Sequence, residues 1–219
     1  MDKIHLSVKR TARYYLLTDE SAPITEVWLV AHGYGQLAQY FIRHFKCLLR
    51  PGVLIIAPEA LSRFYLDGLS GRVGASWMTR EDRLNEIHDY VEYFSQVYQH
   101  VCNEKSIGTH RLYVLGFSQG VPAVCRWIAE STYPIAAIIC WAGFFPHDIT
   151  WNTDMKNRFA VPVYMVYGNE DPYIEKDSLN KLQEFKKQLQ IDTREMVFSG
   201  GHSLHEDTLL RVANELRNI

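Results

Sequence analysis

The chain has 219 residues, with 23 Lys and Arg against 25 Asp and Glu, a formal net charge of −2 and no block of like charge. That balance argues against a nucleic-acid binder, which shows a basic stripe, and 47% hydrophobic with 22% charged residues argues against disorder or collagen-like order. The four cysteines (Cys47, Cys102, Cys125 and Cys140) form no Cys-x-x-Cys, so they read as reduced thiols of a cytoplasmic protein rather than a zinc site or disulfide framework.

One domain spanning residues 1–219 is expected. Residues 4–8 and 12–17 alternate in character around Lys9-Arg10-Thr11 and predict an N-terminal antiparallel hairpin. Beyond it, short β-rich apolar runs alternate with segments of helical period. The predicted strands are Val27–Ala31, Val53–Ala57, Leu112–Gly116, Ala136–Trp141, Val163–Tyr167 and Arg194–Phe198. Several are apolar at every position, as strands covered on both faces must be.

Leu37, Phe41, Phe45 and Leu48 predict a helix that Pro51-Gly52 ends. Leu84, Ile87, Val91, Phe94, Tyr98 and Val101 predict a long one. Val121 to Glu130 predicts another, and so do the sets Leu179, Leu182, Phe185, Leu189 and Leu209, Ala213, Leu216. Strand–helix alternation of this kind predicts an α/β fold with a mostly parallel, doubly wound sheet. Ligands of such sheets bind beyond the carboxyl ends of the strands, so the residues just after each strand carry the information.

The strand Leu112–Leu115 runs into Gly116-Phe117-Ser118-Gln119-Gly120 and a helix follows. Gly-x-Ser-x-Gly between strand and helix is a sharp elbow that exposes the serine hydroxyl at the sheet edge, so Ser118 is the candidate nucleophile. A serine hydroxyl needs a base. Of nine histidines, His202 is favoured, because Ser199-Gly200-Gly201-His202 follows the last predicted strand. His205 is its main competitor; His44 and His88 fit structural roles better. The base needs an orienting acid. Asp171, in Gly168-Asn169-Glu170-Asp171-Pro172 after the Val163–Tyr167 strand, is favoured over Glu170, Asp148 and Asp154. After the first core strand comes His32-Gly33-Tyr34-Gly35; the amides of Tyr34 and Gln119 are candidate oxyanion donors.

One segment reads two ways. Gly33-x-Gly35-x-x-Ala38 also fits a dinucleotide fingerprint, with Glu59 at the spacing of a ribose-binding acid. An oxidoreductase reading would leave Ser118, Asp171 and His202 unexplained.

The whole pattern resembles the phospholipase/carboxylesterase family of α/β-hydrolases, which includes acyl-protein thioesterases. His32 to Gly35 matches the family's His-Gly-x-Gly, Gly116 to Gly120 its Gly-Phe-Ser-Gln-Gly, Gly168 to Pro172 its Gly-x-x-Asp-Pro, and Gly201-His202 its Gly-His. Ala57-Pro58, Ser76-Trp77 and the stretch 142–146 resemble further family turns. Val121, Trp77-Met78-Thr79 and Ala31 depart from the usual residues at their positions. The resemblance implies an α/β-hydrolase fold and hydrolysis of carboxylic esters or thioesters without metal or cofactor. Trp77, Met78, Phe144 and Phe145 are candidate walls of the acyl pocket.

The expected partner is a small ester or thioester substrate, with no nucleic acid and a homodimer left open. No stable membrane insertion is expected: the longest apolar runs, such as Val53 to Pro58, are too short to span a bilayer, and Met1 to His5 lacks the apolar core of a signal peptide. An inactive binding protein that kept the fold is the alternative from another class.

Overall fold

A computed structural model of the chain describes residues 1–174, 183, 186, 187, 191 and 193–218. Its centre is a seven-stranded sheet in the order β1-β3-β2-β6-β7-β8-β9. The strands are β1 (Tyr14–Thr18), β2 (Glu26–Ala31), β3 (Val53–Pro58), β6 (Arg111–Phe117), β7 (Ile135–Trp141), β8 (Val163–Gly168) and β9 (Thr193–Phe198). All neighbours run parallel except β1, which is antiparallel to β3. The helices are α1 (Ala38–Phe41), continued by a 3-10 segment (Ile42–Leu48), α2 (Arg83–Glu104), α3 (Gly120–Glu130), α4 (Thr153–Arg158) and α5 (Glu206–Arg217).

Successive residues of a strand point to opposite faces, and here both faces are apolar and covered. From β2, Val27, Leu29 and Ala31 pack with Phe94 and Val97 of α2 and Val124 and Ile128 of α3. Trp28 and Val30 pack on the other side with Phe45, Leu48, Leu209 and Val212. This two-sided burial is what the uninterrupted apolar runs in the sequence encode.

The structure corrects two expectations, adds an element that was not expected and leaves one expectation aside. An antiparallel strand is present at the N-terminus, but residues 4–8 form no strand, and β1 pairs instead with β3, from Tyr14 opposite Pro58 to Thr18 opposite Leu54. The edge of β3 buries Leu17 and Tyr15 against the sheet's core, which a free hairpin could not do. The helix at 37–48 winds as α only to Phe41 and tightens to 3-10 thereafter; the residues the 3-10 segment buries, Ile42, Phe45 and Leu48, step by three, the period of that winding. A second, two-stranded sheet, β4 (Ser62–Tyr65) with β5 (Val73–Ser76), was not legible in the sequence. The helix predicted at Leu179, Leu182, Phe185 and Leu189 lies outside the described residues.

Candidate active site

Ser118 sits between β6 and α3, with φ at 52°. A non-glycine residue in the left-handed region is strained, and such strain is tolerated where the surroundings over-determine it. The surroundings do so here. The Ser118 amide donates to the Trp141 carbonyl oxygen at 2.8 Å, and the Ser118 carbonyl accepts from the Val121 amide at 3.0 Å. The turn closes only because its flanks lack side chains: a Cβ on Gly116 would lie 2.5 Å from Val121 Cα, and one on Gly120 would collide with the Ala31 carbonyl oxygen.

Asp171 follows β8 and His202 follows β9, and the parallel pairing of these strands brings their carboxyl ends together. His202 Nδ1–H donates to Asp171 Oδ2 at 2.8 Å. The carboxylate accepts only, so the proton of the neutral imidazole resides on Nδ1 and the Nε2 lone pair is free. The Asp171 side chain is fully buried and that of His202 is 21% exposed. Asp171 Oδ1 accepts the Tyr173 amide at 2.9 Å, so both carboxylate oxygens are held. The His202 ring stands 5.0 Å from the ring of Phe117, the residue before Ser118. Among the described residues Ser118 Oγ makes no hydrogen bond to His202; catalytic hydrogen bonds are often long in free enzymes and tighten with substrate. His205 does not compete for the acid: it caps α5, accepting from Thr208.

The loop after β2 starts beside the elbow, since Ala31 pairs with Gly116. His32 anchors it. Its Nδ1–H donates to the Gly33 carbonyl at 2.7 Å and its Nε2 accepts the Ala60 amide at 3.1 Å. Burial, against which the Gly33 hydrogen bond and the Glu59 charge push back, brings the His32 pKa down to about 4. His32 is therefore a neutral structural strut near pH 7. Among the described residues, neither the Tyr34 nor the Gln119 amide donates to another backbone carbonyl in a turn, loop or cap. The Gln119 side chain is fully engaged: Oε1 accepts from the Trp77 amide at 3.1 Å, and Nε2 donates to the Met78 carbonyl at 2.9 Å.

The dinucleotide reading fails on the same residues. The Gly33 and Gly35 amides that a pyrophosphate would need already donate to Gln36 Oε1 and to the Ala75 carbonyl. Glu59, with a fully buried side chain, is committed to Arg13 at 2.6 Å, to Arg63 and to the Ala38 amide. It serves the fold: both oxygens of its buried carboxylate already accept hydrogen bonds within the protein.

The chain matches the family described as Phospholipase/Carboxylesterase over residues 16–219. It belongs to the phospholipase/carboxylesterase family. No curated protein matches it. Solved structures share its fold at low identity. Esterase PE8 is 21% identical with a TM-score of 0.69, over 96% of this chain and 100% of that one. Zea mays acyl-protein thioesterase 2 is 18% identical with a TM-score of 0.69, over 95% and 99%. A carboxylesterase from Mesorhizobium loti is 14% identical with a TM-score of 0.73, over 95% of each chain. As a member of the phospholipase/carboxylesterase family, the chain carries the α/β-hydrolase fold and is assigned as a hydrolase.

The four candidate pocket residues of this phospholipase/carboxylesterase member divide in two. Trp77, 2% exposed, stacks on Phe94 at 4.7 Å and gives its indole N–H to the His32 carbonyl at 2.8 Å; Phe145 is buried against Phe159. Both are core, because a large ring between packed helices gains more from burial than from an open wall. Met78 and Phe144 are half-buried. Arg126 of α3 ties their loops together, with Nη2 donating to Asp148 Oδ1 at 2.6 Å and Nη1 3.9 Å from Met78 Sδ. Burial pushes Asp148 up, but hydrogen bonds from Arg83 and Arg126 outweigh it and hold its pKa at about 2.

A cleft of about 500 Å³ opens elsewhere, between α1 and the β4–β5 hairpin, walled by Leu37, Tyr40, Phe41, Leu66 and Val73. Sequence reasoning missed it because it missed the hairpin. The available signal was Phe64 in the four-residue stretch before the turn-rich Leu66–Arg72 segment. Among the described residues no helix is long and apolar enough to cross a membrane.

Proposed function

We propose that the protein is a serine hydrolase of carboxylic esters or thioesters, with Ser118 as nucleophile, His202 as general base and Asp171 as orienting acid. The observation that carries this reading is the 2.8 Å hydrogen bond from His202 Nδ1 to the buried Asp171, beside the strained Ser118 elbow. A base whose Nδ1 is occupied presents Nε2, and a carboxylate on Nδ1 stabilises the imidazolium once it forms.

The steps follow from these groups. Ser118 Oγ attacks the carbonyl carbon as its proton passes to His202 Nε2. The resulting oxyanion accepts hydrogen bonds from the Tyr34 and Gln119 amides, which among the described residues donate to no other backbone carbonyl in a turn, loop or cap. Collapse breaks the C–O or C–S bond, and the leaving alkoxide or thiolate takes the proton from Nε2. Water then gives a proton to Nε2 and attacks the acyl-enzyme, releasing the acid and restoring Ser118. Met78 and Phe144, half-buried in the loops beside the elbow, take the non-reacting part of a small-molecule substrate.

Fluorophosphonate labelling followed by intact-mass measurement tests the nucleophile. One adduct is expected on the wild type and none on Ser118→Ala; equal labelling of both overturns it. Turnover of p-nitrophenyl acetate and butyrate, abolished by His202→Ala, is expected of the hydrolase. No turnover would favour a binding protein that kept the fold.

A further inference from the structure

We propose that Tyr173 is a positioning residue for His202: its ring is the solvent-side wall that keeps the imidazole in the orientation the reaction needs. The proposal rests on the serine-hydrolase reading. The Asp171 hydrogen bond holds one atom of the imidazole, and a ring tethered at one atom still pivots. In this structure Ser118 does not complete the hold with a second hydrogen bond. Among the described residues, what remains are two aromatic rings. Phe117 stands 5.0 Å away, tilted by 46°, and Tyr173 stands 4.7 Å away, edge to face at 69°.

The two rings differ in their reason for being there. Phe117 is buried in the core that underlies the elbow, and its position follows from that packing. Tyr173 is 68% exposed and gains little from the core. Its side-chain hydroxyl has no hydrogen-bond partner among the described residues. Its ring is delivered to the imidazole by the turn that presents the acid: Pro172 fixes the backbone, and the Tyr173 amide donates to Asp171 Oδ1 at 2.9 Å. One short turn therefore sets the acid through a main-chain hydrogen bond and the base through an edge-to-face ring contact. Edge-to-face pairs stabilise beyond simple area burial, enough to shift the balance between two ring orientations several-fold. Side-chain substitution at 173 removes the ring contact and leaves the amide in place, so the two effects separate experimentally.

The test compares wild type, Ser118→Ala, Tyr173→Phe and Tyr173→Ala on p-nitrophenyl acetate, a substrate too small to need a distant contact. Tyr173→Phe keeps the ring, and its kcat is expected within about twofold of wild type. Tyr173→Ala is expected to lower kcat roughly three- to tenfold with KM changed less than about twofold, and to leave the melting temperature unchanged. The downfield Nδ1–H proton resonance of His202, sharp in the wild type, is expected to broaden through exchange in Tyr173→Ala only. Wild-type kcat in Tyr173→Ala overturns the proposal. So does a change confined to KM, which would make the ring a substrate contact, or equal damage in Tyr173→Phe, which would move the role to the hydroxyl. Inactive wild type, or activity retained in Ser118→Ala, defeats the hydrolase reading instead; the His202 resonance alone then decides for or against the wall.

Discussion

The indole N–H of Trp141 donates to the carbonyl oxygen of Ser203 at 2.9 Å. The carbonyl of the same Trp141 accepts the amide of Ser118. The last residue of β7 thus joins the elbow on one side to the loop carrying His202 on the other. A fully buried residue with both backbone and side chain committed in this way sets the spacing between the candidate nucleophile and base.

Trp141→Phe keeps an aromatic ring, deletes the donor and leaves a cavity where the pyrrole part of the indole was, at a fully buried position. The Ser203 carbonyl then loses its partner, which costs about 1–3 kcal/mol and lowers the melting temperature by roughly 2–4 °C per kcal/mol for a chain of this size. Activity on p-nitrophenyl acetate is expected to fall more than stability alone explains. A melt measured beside kcat at 25 °C, well below unfolding, checks this; unchanged kcat would mean that the bond is structural only.

Asp171→Asn leaves the shape of the site but removes the charge and allows the amide to donate toward Nδ1, selecting the wrong imidazole tautomer. The expected loss in kcat is about 10⁴-fold. Circular dichroism should remain that of the wild type. A loss below tenfold would remove Asp171 from the orienting role.

His32 makes stability pH-dependent. Its folded pKa of about 4 lies below the ordinary 6.5, so the unfolded chain binds the extra proton first as pH falls. The stability that depends on keeping His32 neutral is fully present above about pH 6.5. It is lost as pH falls toward 4, by about 3 kcal/mol at most. Denaturant melts from pH 7 to 4 measure this slope. His32→Asn is expected to be less stable at pH 7 and to show a flatter dependence; an unchanged slope would assign the acid limb to other groups.

Gly120→Ala drives a methyl group into the Ala31 carbonyl oxygen, which belongs to the central sheet and has nowhere to go. Overpacking of this kind costs about 1–3 kcal/mol. A lowered melting temperature and a loss of activity beyond it are expected, because the elbow must open to relieve the contact. Wild-type stability and activity together would show that the elbow is loose.

Much of this was legible in the sequence because it is locally encoded. Six core strands read directly from runs such as Val53–Ala57, since a strand buried on both faces has no polar alternation. Gly116 to Gly120 between a strand and a helix fixes an elbow from adjacent residues alone. Asp171 and His202 each follow a strand in the sequence, and parallel strands deliver their carboxyl ends to one edge.

Only the tertiary structure decided what lies against what. Trp77 and Trp141 are chemically alike in the sequence, yet one anchors the loop of His32 and the other spans the elbow and the His202 loop. Residues 4–8 alternate in the sequence as residues 12–17 do, but only Tyr14–Thr18 finds the free edge of β3. Glu59 stands at the spacing of a ribose acid, yet Arg13, next to β1 and directly opposite it at the same end of that pairing, holds it. Periodicity records which faces are apolar. Burial, register and ion pairing are set by residues dozens of positions away, brought into contact only when the sheet closes.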